Sequence, residues 1–154
     1  MEKKETYKRM LSEAEGLMAG EHDMIANLAN LCALIRERFG FFWIGFYLVK
    51  GNELVLGPFQ GPVACTRIAH GRGVCGTSWA KAESIIVQDV HEFPGHIACS
   101  ALSQSEIVVP VMVDGKVSMV LDIDSDQLST FDEVDEAGLQ SLCWLISSNE
   151  KNWK

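Results

Sequence analysis

The stretch IVVPVMVDGKVSMVLDID, residues 107–124, decides how this chain is read. Two runs of branched and apolar residues, Ile107 to Val113 and Lys116 to Ile123, flank Asp114-Gly115, the pair favoured at the centre of a type I′ turn. A tight antiparallel hairpin is therefore expected here. In its second arm the side chains alternate, so that Val117, Met119, Leu121 and Ile123 share one face and Ser118, Val120, Asp122 and Asp124 the other. Two carboxylates thus point the same way, either as a solvated outer face or as part of a pocket for a cation or a proton donor.

Working outward, Phe41 to Val49 and Glu53 to Leu56 form a second hairpin about Lys50-Gly51-Asn52. Alternation puts Trp43 and Tyr47 on one face with Phe41 and Gly45, opposite Phe42, Ile44, Phe46 and Leu48. Either set fits a core, and Trp43 with Tyr47 also fits the apolar, π-rich wall of a ligand site. Upstream, the chain from about Lys4 to Phe39 reads as two helices broken near Gly20. The second of these carries Met24, Ile25, Leu28, Leu31, Cys32, Ile35 and Phe39 at three- and four-residue steps. Downstream, Thr130 and Glu133 have the spacing of a capping box before a final helix with Phe131, Val134, Leu139, Leu142, Cys143 and Ile146 on its apolar side. Between the hairpins, Gly57 to Gly73 contains too many glycines and prolines for a long element and reads as a loop. A short helix from Val74 to Glu83, a strand from Ser84 to Val87 and a second loop from Asp89 to about Ser105 follow. This order predicts one α+β domain spanning residues 1–154, with a central antiparallel sheet.

The chain has 154 residues, 47% hydrophobic and 22% charged, with a net charge of −8. A core of that size needs no disulfide or metal staple. The acidic balance, without a Lys/Arg cluster, argues against nucleic acid or an anionic membrane as a partner. No apolar run is long enough to span a membrane, and MEKKETYKRM lacks the apolar segment of a secretory signal, so a cytoplasmic location is expected. Thiols are normally reduced there, which gives the five cysteines their interest. Cys32 and Cys143 lie on helical apolar stripes and are expected to be packing residues. Cys65, Cys75 and Cys99 lie in polar, glycine-containing segments, where a cysteine serves as nucleophile, resolving thiol or metal ligand.

Five segments, GPFQGPVACTRI (57–68), GRGVCGTSWA (71–80), HIACSALSQSEIVVPV (96–111), VLDIDS (120–125) and TFDEVD (130–135), closely resemble the free methionine-(R)-sulfoxide reductases, enzymes built on a GAF domain. The likeness covers almost the whole chain, with nine residues between Cys65 and Cys75 and twenty-three between Cys75 and Cys99, as in the family. It implies a GAF-like fold with terminal helices on one sheet face and cysteine-bearing loops covering a pocket on the other. It implies reduction of free methionine-(R)-sulfoxide without metal or organic cofactor, with Cys99 as nucleophile, Cys65 as main resolving thiol and Cys75 as auxiliary thiol. A pocket of Trp43, Tyr47, Glu106, Asp122 and Asp124 would hold the substrate, thioredoxin would be the reductant, and a homodimer through the terminal helices is allowed.

One point of register stands against this. A two-residue turn at Asp114-Gly115 pairs Ile107 with Asp122 and puts Glu106 on the face opposite both aspartates. A bulge at Pro110 would restore the direction. Rival readings are a zinc site of Cys65, Cys75 and Cys99 with His70, His91 or His96, which lacks the short spacings of structural zinc sites, and a non-enzymatic small-molecule-binding or redox-sensing GAF module. The histidines are expected not to be catalytic, although His96, three positions before Cys99, is placed to lower that thiol's pKa. Arg72 is expected to be a solvated loop residue.

Overall fold

A computed structural model describes residues 2–96 and 99–154. The elements run α1 (Lys3–Met18), α2 (Met24–Phe39), β1 (Trp43–Lys50), β2 (Glu53–Gln60), β3 (Arg67–Ala69), α3 (Gly73–Lys81), β4 (Ile85–Val87), β5 (Ser105–Val113), β6 (Lys116–Ser125) and α4 (Glu133–Glu150), with one 3-10 turn at Val90–Glu92. The six strands form one antiparallel sheet in the order β3-β2-β1-β6-β5-β4. Strand alternation then divides the interior in two. Ile44, Phe46 and Leu48 of β1, Ile107, Val109 and Val111 of β5, and Met119, Leu121 and Ile123 of β6 pack against α1, α2 and α4. On the other face Trp43, Tyr47, Val108 and Val120 pack with Ile68, Val74, Cys75, Val87 and Val90 under the loops. The expected α+β architecture is the one found.

The terminal helices are held to each other as well as to the sheet. Tyr7, Met10, Ala14 and Met18 recur at three- and four-residue steps and form the buried stripe of α1. The Tyr7 hydroxyl donates to Asp135 Oδ1 at 2.6 Å, and Lys3 Nζ lies 2.7 Å from Asp135 Oδ2. Asp135 also closes the capping box of α4, whose N-cap is Asp132 and not Thr130. The box expected at Thr130 and Glu133 is displaced by two residues, to Asp132 and Asp135. Thr130 is taken by the preceding turn, with its Oγ1 2.6 Å from Ser125 Oγ. Cys32 and Cys143 are buried on their helices, as their spacing indicates.

The β5–β6 hairpin turns where expected, with positive φ at both Asp114 (52°) and Gly115 (77°). Its register differs from the simple count. Val113 faces Lys116 and Met112 faces Val117, but Val111 faces Met119, so Ser118 is an extra residue on β6. From there on, Val108 faces Asp122 and Glu106 faces Asp124. The bulge that reunites Glu106 with the aspartates therefore exists, but at Ser118 on β6 instead of at Pro110. It also reverses the expected sides of its own neighbours. Val117 packs on the loop side of the sheet, while the Ser118 hydroxyl donates to Glu150 of α4 at 2.9 Å.

Two other expectations change. β2 continues four residues beyond Leu56 to Gln60, and the predicted loop contains β3. Tyr47 faces Leu56 and Gly45 faces Phe59, so Gly57-Pro58 contains an extra residue on β2, the kind of position where a strand tolerates proline. At the start of β1 the alternation fails: Phe41 packs with the helices and Phe42 on the loop side. Both precede Trp43, the first residue paired to β6.

Candidate active site

The pocket lies on the loop face of the sheet. Trp43 and Tyr47, four positions apart on one face of β1, stack with ring centroids 6.0 Å apart, and Trp43 stacks on Phe59 of β2 at 5.3 Å. Gly45 between them has no alternative, because a Cβ there would lie 2.6 Å from Phe59 Cβ and strike the Trp43 ring. Both aromatics use their polar atoms on the adjacent loop. Trp43 Nε1 donates to the Pro62 carbonyl at 3.0 Å, and the Tyr47 hydroxyl donates to the Cys65 carbonyl at 2.8 Å. Burial and the nearby Asp122 carboxyl push the Tyr47 phenol far above its ordinary range, so it remains a donor. The aromatic wall thus fixes the backbone that carries Cys65.

Cys65 is joined to Cys99 by a disulfide, with Cα atoms 5.5 Å apart. Cys65 is half-buried and Cys99 exposed. The bridge ties the β2–β3 loop to the segment before β5 and lies beside a pocket that includes Phe42, Trp43, Tyr47, Cys75, Cys99 and Glu106. The five-residue set expected from the sequence is brought together: Asp122 and Asp124 also line this pocket.

Glu106 and Asp122 are 5% and 6% exposed, so their charges meet little water. Burial raises the Glu106 pKa well above the ordinary carboxylate range, and the neighbouring Asp122 and Asp124 charges raise it further. Asp124 is raised for the same reasons, burial first and then Asp122. Burial also raises Asp122, against the opposing effect of the adjacent Glu106 and Cys75. Like charges this close cannot all ionise, so the trio keeps protons at pH values where isolated carboxyls have lost them. Among the described residues, Asp122 Oδ1 is a buried side-chain oxygen without a hydrogen-bond partner.

Cys75 belongs to the short helix expected from Val74 to Glu83, but its surroundings are not the polar ones expected of it. It stands in the first turn of α3, buried beneath the pocket. Burial and the carboxylates, Asp122 foremost, raise its pKa well above that of a free thiol, so it is not a standing thiolate. The ligand set of the zinc rival does not form, since Cys65 and Cys99 are bonded to each other. Among the described residues, the group that could hold a metal ion is instead Cys75, Glu106 and Asp122, whose ligand atoms all lie within 4.8 Å of one another.

Sequence reasoning missed the N-terminus of α3. Arg72, Gly73, Val74 and Cys75 line the pocket, and no side chain caps this nine-residue helix. Its first-turn amides therefore leave partial positive charge at the helix end that borders the cavity. The readable signal was a helix start at Gly71-Arg72-Gly73 without Ser, Thr, Asp or Asn at the cap. Arg72 is exposed, as expected, and also contributes to the pocket lining. His96 also reaches the pocket, with Nε2 4.0 Å from Glu106 Oε1. Burial, with a smaller contribution from His91, lowers its pKa, so near pH 7 it is a neutral imidazole and not the cation that would activate a thiol.

The family model described as GAF domain matches residues 21–149. A relative named GAF domain-containing protein A from Dictyostelium discoideum is 56% identical over 147 residues, 95% of this chain and 93% of that protein. The free methionine-R-sulfoxide reductase of Escherichia coli (strain K12) is 50% identical over 143 residues, 92% of this chain and 87% of that protein. The X-ray structure of free methionine-R-sulfoxide reductase from Neisseria meningitidis in complex with its substrate superposes with a TM-score of 0.97 at 50% identity. The match covers 99% of this chain and 92% of that one.

Proposed function

The chain belongs to the GAF domain family and, within it, to the free methionine-R-sulfoxide reductases, and on that premise we propose that it reduces free L-methionine-(R)-sulfoxide to methionine by a thiol mechanism recycled by thioredoxin. The observation that carries this reading is a buried trio of carboxyls, their pKa values raised by burial, in the pocket beside the Cys65–Cys99 pair.

In the reduced enzyme, the Cys99 thiolate attacks the sulfoxide sulfur. One carboxyl of the trio gives a proton to the sulfoxide oxygen, which passes to Cys99 as methionine leaves, so the substrate is reduced by two electrons and Cys99 becomes a sulfenic acid. The Cys65 thiol then attacks that sulfur and expels water, which forms the disulfide. A thioredoxin dithiol restores both thiols by exchange and becomes a disulfide itself. Cys75, free and buried nearby, serves as an auxiliary thiol.

Selection of a free amino acid follows from the two poles of the pocket. The unpartnered Asp122 Oδ1 suits the substrate ammonium, and the uncapped amides of α3 with Arg72 suit the carboxylate. That leaves Glu106 or Asp124 as proton donor. Trp43 and Tyr47 supply a π surface for the methyl and sulfur. A methionine within a polypeptide has neither charge. This chemistry belongs in a reducing compartment, consistent with a cytoplasmic enzyme.

The test is thioredoxin-coupled turnover with the separated R and S sulfoxides, on wild type and Cys99→Ser. Turnover of the R epimer alone, lost in Cys99→Ser, is expected. Retained rate in the serine variant would refute the nucleophile, and equal rates for the epimers the stereochemistry. Cys65→Ser should release one methionine per enzyme without reductant and then recycle poorly.

A further inference from the structure

We propose that Cys75, Glu106 and Asp122 form an inhibitory binding site for a thiophilic divalent cation of the zinc class, which takes the place of the substrate's ammonium group. The three ligands come from separate elements, α3, β5 and β6, which the sheet and its Ser118 bulge hold in one place. Their ligand atoms lie within 4.8 Å of one another and all three residues are buried. Zinc bonds of about 2.3 Å to sulfur and about 2.0–2.2 Å to oxygen set tetrahedral ligands about 3.5 Å apart. Side-chain movements of about 1 Å close the cluster to that geometry.

A second observation indicates that the cluster is open to a cation. Asp122, only 6% exposed, lines the pocket and carries a buried oxygen, Oδ1, without a hydrogen-bond partner. A buried acceptor without a donor costs free energy until a cation or donor arrives. Sulfur in the ligand set selects zinc or cadmium over magnesium or calcium, which prefer oxygen alone. His96, whose Nε2 lies 4.0 Å from Glu106 Oε1, stands nearby as a neutral imidazole suited to a fourth position. Binding requires that Cys75 and the carboxyls give up their protons to solvent, and the cation then compensates the charges that burial disfavours in its absence. In the oxidised protein Cys65 and Cys99 take no part, because they are joined in the disulfide.

The binding stands on the cluster itself, whereas the inhibition rests on the reductase reading. The experiment separates them. Oxidised full-length protein, with the Cys65–Cys99 bridge intact, is titrated with Co²⁺ by absorbance and with Zn²⁺ by calorimetry. One equivalent should bind, with a thiolate-to-cobalt charge-transfer band that is absent in Cys75→Ser. Zinc affinity should fall by at least about tenfold in Asp122→Asn and remain unchanged in His91→Ala, an exposed histidine outside the cluster. Circular dichroism verifies that each variant is folded, and Cys75→Ala and Asp122→Ser replace any that is not. Lack of a band in the wild type, or equal zinc binding in all the variants, overturns the site. In thioredoxin-coupled turnover, Zn²⁺ should raise KM for methionine sulfoxide and leave kcat unchanged. Zinc that binds without raising KM overturns the inhibition alone. Failure of turnover in metal-free wild type refutes the reductase reading, and the cobalt band still decides the site.

Discussion

Replacing Tyr47 with Phe removes one oxygen and leaves the ring stacked on Trp43, so it isolates the bond from the phenol to the Cys65 carbonyl. That bond holds the backbone of the proposed resolving cysteine against β1, and at 2.8 Å its geometry is good. A net contribution of about 1 kcal/mol is usual for such a bond. If it is made when Cys65 is correctly placed and lost when the loop wanders, Tyr47→Phe lowers the effective concentration of the Cys65 thiol at Cys99 about fivefold. The disulfide then forms about five times more slowly from the sulfenic acid, and its reduction potential rises by about 20 mV. Thiol–disulfide titration against a glutathione series gives the potential, and rapid mixing with one equivalent of substrate gives the rate. Thermal unfolding of the reduced forms controls for general destabilisation. An unchanged potential together with an unchanged rate of closure would refute the reasoning, because the tyrosine would then hold a loop already fixed by other contacts.

Glu106→Gln should become more stable relative to wild type as pH rises from 5 to 8. The folded protein retains a proton on Glu106 above the ordinary value of 4.5 while the unfolded chain has released it, so wild-type stability falls over this window and that of the glutamine variant does not share the loss. Melting curves across pH test this, and a relative loss at pH 8 would contradict it. Gly45→Ala should displace Trp43 and cost about 1–3 kcal/mol, a fall in Tm of about 3–10 °C, with the substrate KM raised as the Trp43–Pro62 bond is lost. Tyr7→Phe leaves Asp135 Oδ1 without its donor and should lower Tm by about 4–8 °C without affecting turnover, since it lies on the far side of the sheet from the pocket.

Helices and hairpins were readable because their signals are local. Period-3.6 stripes gave α2 and α4, and Asp114-Gly115 gave the β5–β6 turn with both residues at positive φ. What failed was decided by cross-strand and turn partners, which residue propensity alone does not specify. Ser118 is an unremarkable strand residue, and only the pairing of Val111 with Met119 reveals it as the extra one. Gly57-Pro58 looks like a strand end, yet the bulge accommodates it and lets β2 continue to Gln60. Thr130 fits a capping box as well as Asp132 does, until Ser125 engages it. In the pocket, Trp43, Tyr47, Asp122 and Asp124 were visible from strand alternation, and Glu106 joined them by resemblance against the register count. The N-terminus of α3 contributes backbone amides, which no motif of side chains advertises.

The Cys65–Cys99 bridge has a consequence for the integrity of the chain as well as for chemistry. The two cysteines are 34 positions apart, and the segment they enclose contains β3, α3 and β4. Each proposed turnover therefore ties this segment into a covalent ring and then unties it. In the chain-entropy account, a ring of that size limits the unfolded state by about 4 kcal/mol. In the proposed cycle, an enzyme starved of reductant halts in its tied, more durable form, and one supplied with reductant works in the looser form, so that its lifetime follows the same electron supply as its rate.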